Sequence, residues 1–253
     1  MRLLKLKKIL GPASIKSIPN CKLEGLSGLM SVWGELNFQD GAALLQEHLA
    51  NFHDFTILVL TLIISFVTTI IYLIAQKGFI DKRLSAHHAL EFLWTLLPVF
   101  VLITIAVPSL TLLFMIEDSS ESFLRRKAVG YQWYWHYDSS SLRNPEGYDS
   151  YMVATNSGKP EMFRLLDTTN YLRTPVGVSS RVLITSGDVL HSWTVPALGV
   201  KADACPGRLN EVILRPMRTG TFYGQCSEIC GRNHRFMPIE TKVLATNYWA
   251  SLN

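Results

Sequence analysis

The 253 residues suffice for one or two domains. Aliphatic and aromatic residues make up 48% of the chain and mean hydropathy is positive, which argues against an ordinary soluble enzyme. The formal charge of +4 gives no ground for nucleic acid or any other anionic partner, because six basic residues (Arg2, Lys5, Lys7, Lys8, Lys16 and Lys22) crowd the first 22 positions. Residues 1–29 therefore read as a basic leader, a targeting segment or propeptide that is removed. A solvated cationic arm and a translation start at Met30 remain open.

Residues 30–55 carry four acids (Glu35, Asp40, Glu47 and Asp54) and no Lys or Arg. Two uncharged apolar runs follow, 56–76 and 92–116, and each is long enough to span a bilayer as a helix, which takes about 20 residues. A buried core helix of that length would usually show a polar face. The chain thus predicts a two-helix transmembrane hairpin in a lipid bilayer, with Pro98 and Pro108 in the second helix. Membrane helices tolerate proline, and Pro108 is placed to mark a kink or the exit. The connecting loop, 77–91, carries Lys77, Lys82 and Arg83. Counting Lys and Arg puts this loop inside and both ends outside once the leader is gone.

From 117 to 253 the composition changes to charged residues, recurrent turn formers and short β-branched runs such as Arg181–Thr185, Glu211–Leu214 and Ile239–Leu244. Short strands without a helical period predict a Greek-key β-sandwich or barrel. Ser139–Ser141 with Arg143-Asn144-Pro145 reads as a loop, and 247–253 as a short terminal helix. Residues 130–137, Gly-Tyr-Gln-Trp-Tyr-Trp-His-Tyr, read as one strand whose alternation puts Tyr131, Trp133, Trp135 and Tyr137 on one face. That face is either a core or interface stripe, or an aromatic path into a metal centre.

Residues 226–237 read Cys-Ser-Glu-Ile-Cys-Gly-Arg-Asn-His-Arg-Phe-Met, and His191 lies 35 positions before Cys226. Cys226, Cys230, His191, His234 and Met237 together offer two thiolates, two imidazoles and a thioether. Thiolate and thioether are soft donors that favour copper(I), and imidazole suits either oxidation state. A mononuclear blue-copper site needs only one Cys. The second thiolate lets two copper ions be bridged, with one His for each, so the set points to a binuclear copper electron-transfer centre. A Cys2His2 zinc site remains open, since Cys-x3-Cys meets the zinc spacing rule, and so does a Cys226–Cys230 disulfide. Four cysteines in all do not suggest a disulfide scaffold.

Glu228 lies between the two cysteines. Carboxylates prefer harder ions than copper, so Glu228 reads as a solvated loop acid, or as a carbonyl facing copper with its carboxylate turned to a cation such as magnesium. Glu91, at the inner end of the second apolar run, reads as a boundary residue or as the mouth of a proton path. His48, His53, His87, His88 and His136 read as ordinary surface or interface histidines. Cys205 reads as a spectator, and Cys21 falls in the leader.

The hairpin, Gly-Tyr-Gln-Trp-Tyr-Trp, His-Ser-Trp-x-Val-Pro, Pro-Gly-Arg-Leu-Asn and Gly-Gln-Cys-Ser-Glu-Ile-Cys-Gly-x-Asn-His-x-Phe-Met-Pro together resemble the cytochrome c oxidase subunit 2 family, from about Met30 to the C-terminus. The resemblance implies a cupredoxin β-barrel holding a binuclear copper A centre. By match to the motif, Cys226 and Cys230 would bridge two coppers. His191 and His234 would bind one each, with Met237 and the Glu228 carbonyl as the remaining ligands. The Glu228 carboxylate would bind magnesium shared with the catalytic subunit. Trp133 matches the residue through which electrons enter from cytochrome c, and Glu91 the acid near a proton path. The resemblance also implies the mitochondrial inner membrane, a copper domain and N-terminus in the intermembrane space, and onward electron transfer to haem in subunit 1. Oxygen reduction and proton pumping would occur there, so this chain is no catalyst alone. A copper carrier also fits the chain length, but would not need His191 from a distant strand.

Three departures from the family stand out. Arg232 and Arg235 flank His234 where small polar residues are usual. Gly187 stands where an acid is common. Residues 117–253 hold 13 acids against 15 Lys and Arg, whereas docking of a lysine-rich cytochrome relies on an acidic patch. Asp138, Asp167 and Asp188 are the candidates for such a patch.

Overall fold

A computed structural model describes residues 34–77, 86–117, 122–138, 147–154 and 163–252. The leader, the loop residues Lys82 and Arg83, and the expected loop at Ser139–Ser141 and Arg143–Pro145 lie outside them. The two apolar runs form α1 (Leu44–Lys77) and α2 (His88–Glu117). Their apolar side chains are largely exposed in the isolated chain, as expected of surfaces that face lipid or another subunit. Their threonines do not strand polar groups: Thr61, Thr69, Thr95, Thr104 and Thr111 each donate to the carbonyl four residues back. Pro98 and Pro108 both sit within α2, which runs past Pro108 to Glu117 without a break.

Helix α1 begins well before the apolar run. It has 34 residues, or about 51 Å at a rise of ~1.5 Å each, against a hydrocarbon core of about 30 Å. The excess at its start is held by the β domain. Ala42 N donates to Ala197 O at 2.7 Å, Met217 N donates to Ala42 O at 2.8 Å, and Ala42 and Ala43 belong to the domain core. Gly199 makes the close approach possible: its φ is +69°, and a Cβ there would lie 2.8 Å from Gln46 N. The start of α1 and the β domain therefore share one end of the hairpin.

Among the described residues ten strands follow: β1 (Leu124–Tyr131), β2 (Tyr134–Asp138), β3 (Tyr148–Ser150), β4 (Leu172–Pro175), β5 (Ser180–Ser186), β6 (His191–Val195), β7 (Val200–Ala204), β8 (Asn210–Leu214), β9 (Gly220–Gln225) and β10 (Pro238–Leu244). They form a five-stranded sheet β3-β2-β1-β5-β8, a three-stranded sheet β4-β10-β9 and a ribbon β6-β7. The pairs β1/β5 and β4/β10 are parallel and the rest antiparallel. Parallel partners cannot be joined by a hairpin, and the intervening chain makes the crossovers. Strand β5 shows the reason for its form: Ser180, Val182, Ile184 and Ser186 are buried while the alternate residues are only half so. All three sheets share one core around Trp135, Trp193, Tyr137, Phe222, Leu172, Leu198 and Ile239. This is the cupredoxin-like β domain expected from the sequence. The short helix α3 (Thr246–Leu252) is the last described element.

One expected strand is two. Gln132 and Trp133 form a two-residue turn, so the chain reverses and Tyr131 pairs with Tyr134. Trp135 and Tyr137 are fully buried, whereas Tyr131 and Trp133 are only partly buried and do not share their face. Tyr131 instead stacks on Tyr134 at 5.2 Å, and Tyr134 on Tyr151 at 4.6 Å between ring centroids. The departure at Gly187 has a steric cause in the same place. A Cβ on it would lie 2.2 Å from Cε1 of Tyr131.

Burial raises the phenol pKa of Tyr137 and of Tyr223 above the ordinary 10.0, and neighbouring carboxylates raise Tyr223 further. In the unfolded chain both phenols ionise near 10.0, so their contribution is complete below that pH and is lost as pH rises beyond it. Circular dichroism across an alkaline titration should show stability level up to about pH 10 and falling above it. Tyr223→Phe should soften that fall.

Candidate metal centre

Strand pairing brings the distant histidine to the cysteine loop. His191 opens β6 and is fully buried. Cys226 directly follows β9, and Met237 directly precedes β10. The pair Gln225↔Pro238 closes the loop between them at its base. Ser227 N donates to Ser192 O at 3.1 Å, which pins the loop to β6. Within the loop, residues His234–Phe236 form a single 3-10 turn that turns His234 back toward Cys230.

The five side chains with soft or imidazole donors converge. The Cys226 and Cys230 sulfurs are 3.9 Å apart. His191 Nδ1 lies 3.8 Å from Cys226 Sγ, and His234 Nδ1 lies 3.5 Å from Cys230 Sγ. Met237 Sδ lies 3.5 Å from Cys230 Sγ. The Glu228 carbonyl is 3.3 Å from Cys226 Sγ, and the Glu228 carboxylate makes no hydrogen bond or ion pair among the described residues. A disulfide needs about 2.05 Å between sulfurs, so Cys226 and Cys230 are two free thiols and that alternative is removed. Ligand atoms of His191, Cys226 and Cys230 all lie within 4.8 Å of one another, and His234 stands outside that trio. One tetrahedral ion would need all four atoms in a single cluster.

Electrostatics prepares one thiol to ionise first. Burial pushes the Cys226 thiol up, but hydrogen bonds with His191 and with the backbone at Glu228 and Ser192 outweigh it and bring it down. Burial and the adjacent Cys226 push Cys230 the other way.

The surrounding residues were only partly visible in the sequence. Asp188, one of the candidate docking acids, accepts from His191 Nε2 at 2.9 Å and from Gln132 N at 2.7 Å. Burial raises the Asp188 pKa, and these hydrogen bonds more than reverse that. Its position three residues before His191 was the available signal. Gln132 was not foreseen: its Nε2 donates to Cys230 O at 2.8 Å. Trp133 Nε1 reaches the same carbonyl at 3.3 Å, and its ring lies against Gly231, where a Cβ would meet Cζ2 at 3.3 Å. Gly130 is required by close approach, since a Cβ there would lie 2.8 Å from His191 Cδ2. Glu91 lies far along the chain from this centre, in the first turn of α2, with its carboxylate 3.5 Å from His88 Nδ1. His136, expected to be an ordinary surface histidine, lies between Asp149 at 2.7 Å and Asp138 at 3.1 Å.

Outer-shell carboxylates that orient a metal-bound imidazole are worth 10–100-fold in affinity as a rule of thumb. Asp188→Asn should therefore weaken metal retention by the full chain by roughly 10-fold or more, read by competition with a chelator. Unchanged retention would show that Asp188 does not orient His191.

A cupredoxin-like domain with a buried two-thiolate, two-imidazole, thioether donor set, tethered by two apolar helices, defines a membrane-anchored protein built to hold a soft metal. Residues 31–112 match the family "Cytochrome C oxidase subunit II, transmembrane domain", and residues 124–244 match "Cytochrome C oxidase subunit II, periplasmic domain". Cytochrome c oxidase subunit 2 of Drosophila melanogaster is 44% identical over 227 residues, spanning 88% of this chain and 99% of that relative. The same subunit of Drosophila lowei is 44% identical over 220 residues, 87% and 96% of the two chains. The solved periplasmic domain of subunit II of cytochrome oxidase from Bradyrhizobium japonicum is 42% identical. It covers 52% of this chain and 91% of that one, with a TM-score of 0.47. The chain belongs to the cytochrome c oxidase subunit 2 family, the electron-transfer subunits of haem-copper oxidases.

Proposed function

We propose that Cys226 and Cys230 bridge two copper ions, with His191 and His234 one on each and Met237 and the Glu228 carbonyl completing the set. The observation that carries this reading is the pairing of one imidazole with each sulfur across a 3.9 Å sulfur–sulfur separation. The donor set is soft, as copper(I) requires, and it is buried. Copper held there supplies a one-electron store. The protein's part is to hold its ligands still: the loop is closed by β9 and β10, pinned to β6, and backed by Asp188 on the imidazole. Trp133, half-buried at the rim and hydrogen-bonded to the Cys230 carbonyl, is the residue through which electrons arrive from cytochrome c. They leave toward haem in the catalytic subunit.

The unpaired Glu228 carboxylate is suited to a magnesium ion completed by that subunit. Glu91, near the loop end of the hairpin, serves at the mouth of a proton path. The setting is the mitochondrial inner membrane, with the β domain and the N-terminal segment in the intermembrane space. The shared position of the α1 start and the β domain at one end of the hairpin supports their lying on one side of the membrane, and the basic residues of the opposite loop support that loop lying on the inner side.

Electron paramagnetic resonance of the copper-loaded chain tests the reading. One unpaired electron shared equally by two copper nuclei is the expected result. A single-copper pattern would leave a type 1 variant, and a site that takes zinc alone would overturn the electron-transfer role.

A further inference from the structure

We propose that His136 sets how strongly a basic electron donor docks beside Trp133: protonated, it neutralises a pair of carboxylates there, and neutral, it leaves them in excess. The proposal rests on the reading of Trp133 as the residue where electrons arrive. Three observations carry it.

First, the fold gathers a charged group on the outer face of the five-stranded sheet. Trp135 and Tyr137 of β2 point into the core, so Tyr134, His136 and Asp138 point away from it. Register sets Asp149 of β3 opposite His136, and Lys127 of β1 opposite Asp138. His136 Nδ1 lies 2.7 Å from Asp149, its Nε2 lies 3.1 Å from Asp138, and Lys127 Nζ lies 3.3 Å from Asp138. Only the imidazolium has an N–H on both nitrogens, so only that form donates to both carboxylates.

Second, one proton decides the charge of this group. With His136 protonated, it and Lys127 balance Asp138 and Asp149. With His136 neutral, the same four residues carry one net negative charge. The imidazole is 26% exposed and both carboxylates 42%, so solvent and salt reach them. The other titratable neighbours are the phenols of Tyr151, 3.3 Å from Asp149, and of Tyr134, which stacks on Tyr151. Desolvation, and then Asp149, raise both phenols above the ordinary 10.0, so they stay neutral near pH 7. Val129, opposite His136 on β1, is apolar.

Third, the group adjoins the indole. Trp133 precedes Tyr134, the Tyr134 and Tyr151 rings stack at 4.6 Å, and Tyr151 is 45% exposed. An aromatic surface with a charged rim is the ordinary form of a transient docking site, and rim charge sets encounter rate and partner choice. The carboxylates commit this rim to a donor whose face bears lysines. Asp188, bonded to the same turn through Gln132 N, keeps its charge and adds to that preference. Arg232 and Arg235 on the metal loop are charged at every pH of interest, so they shift affinity without altering its pH dependence.

The experiment uses the holoenzyme at low ionic strength, with a reduced cytochrome of basic docking face as donor. KM is measured between about pH 6 and pH 8 for the wild type, His136→Gln and His136→Lys. Dividing each variant's KM by that of the wild type cancels the donor's own titration. His136→Gln should lower KM about threefold near pH 6, the scale of an exposed charge interaction, and match the wild type near pH 8. His136→Lys should match the wild type near pH 6 and raise KM about threefold near pH 8. Added salt should shrink both differences. Ratios that do not change with pH, or a His136→Gln KM above that of the wild type near pH 6, overturn the inference. So does failure of both variants to assemble, since the imidazole would then be structural. Oxygen consumption driven by a small chemical mediator separates the two levels: its absence in the wild type overturns the electron-transfer function itself, whereas its presence alongside pH-independent ratios overturns only the inference.

Discussion

Cys230→Ser should abolish the equally shared two-copper signal and lower donor-driven oxygen consumption by more than about 100-fold, beyond what loss of an outer-shell partner costs. Cys230 contacts three other donors of the set. Its sulfur is 3.9 Å from Cys226 Sγ, 3.5 Å from His234 Nδ1 and 3.5 Å from Met237 Sδ. A serine hydroxyl is a harder and far less acidic group, and cannot replace a bridging thiolate for copper(I). The variant should still fold, because serine is nearly the size of cysteine and Cys230 is one member of a core that also holds Trp193, Trp135 and Phe222. A native circular dichroism spectrum with the shared-electron signal gone is the expected pair of readings. If the shared signal survived, Cys230 would not be a bridging ligand.

Gly224→Ala should destabilise the β domain by about 3 kcal/mol or more, lowering Tm on the order of 10 °C. A Cβ on Gly224 would stand 1.7 Å from Thr194 O and 2.9 Å from the Thr194 carbonyl carbon. Those are backbone atoms of β6, so no side chain can swing aside. Strands β6 and β9 would have to part. The strain falls beside the metal centre, because Thr194 is three residues from His191 and Gly224 two from Cys226. Metal retention should therefore fall together with Tm. Gly207→Ala is the matched control: its φ is +75°, but a Cβ there meets nothing within 4 Å, so only the backbone cost of about 1–2 kcal/mol applies. Equal Tm losses in the two variants would show that the close approach of β6 and β9 does not matter.

The legible parts of this chain are those governed by local pattern. The two apolar runs announced helices because no charge interrupts them. The start of α1 at Leu44 was not visible, because His48, Asn51, His53 and Asp54 look like an exterior segment. The helix forms there anyway, since no Gly or Pro stands between Leu44 and Lys77 and the β domain grips residues 42–46. The turn at Gln132 and Trp133 was also hidden. Neither is a usual turn residue, and the alternation around them mimics one strand. That turn depends on contacts from elsewhere, with Asp188 accepting from Gln132 N and Cys230 O accepting from both side chains.

The sequence by itself determined the membrane anchor, the β class of the domain and the types of donor atom, because hydropathy, strand period and ligand softness are properties of residues and short spacings. Only the tertiary structure decided that Cys226 and Cys230 remain separate thiols with an imidazole beside each. It alone placed Asp188 behind His191 and Gln132 against the Cys230 carbonyl. Each of these is a distance between residues remote in the chain, fixed by how β6, β9 and β10 pack, and residue spacing carries no record of that packing.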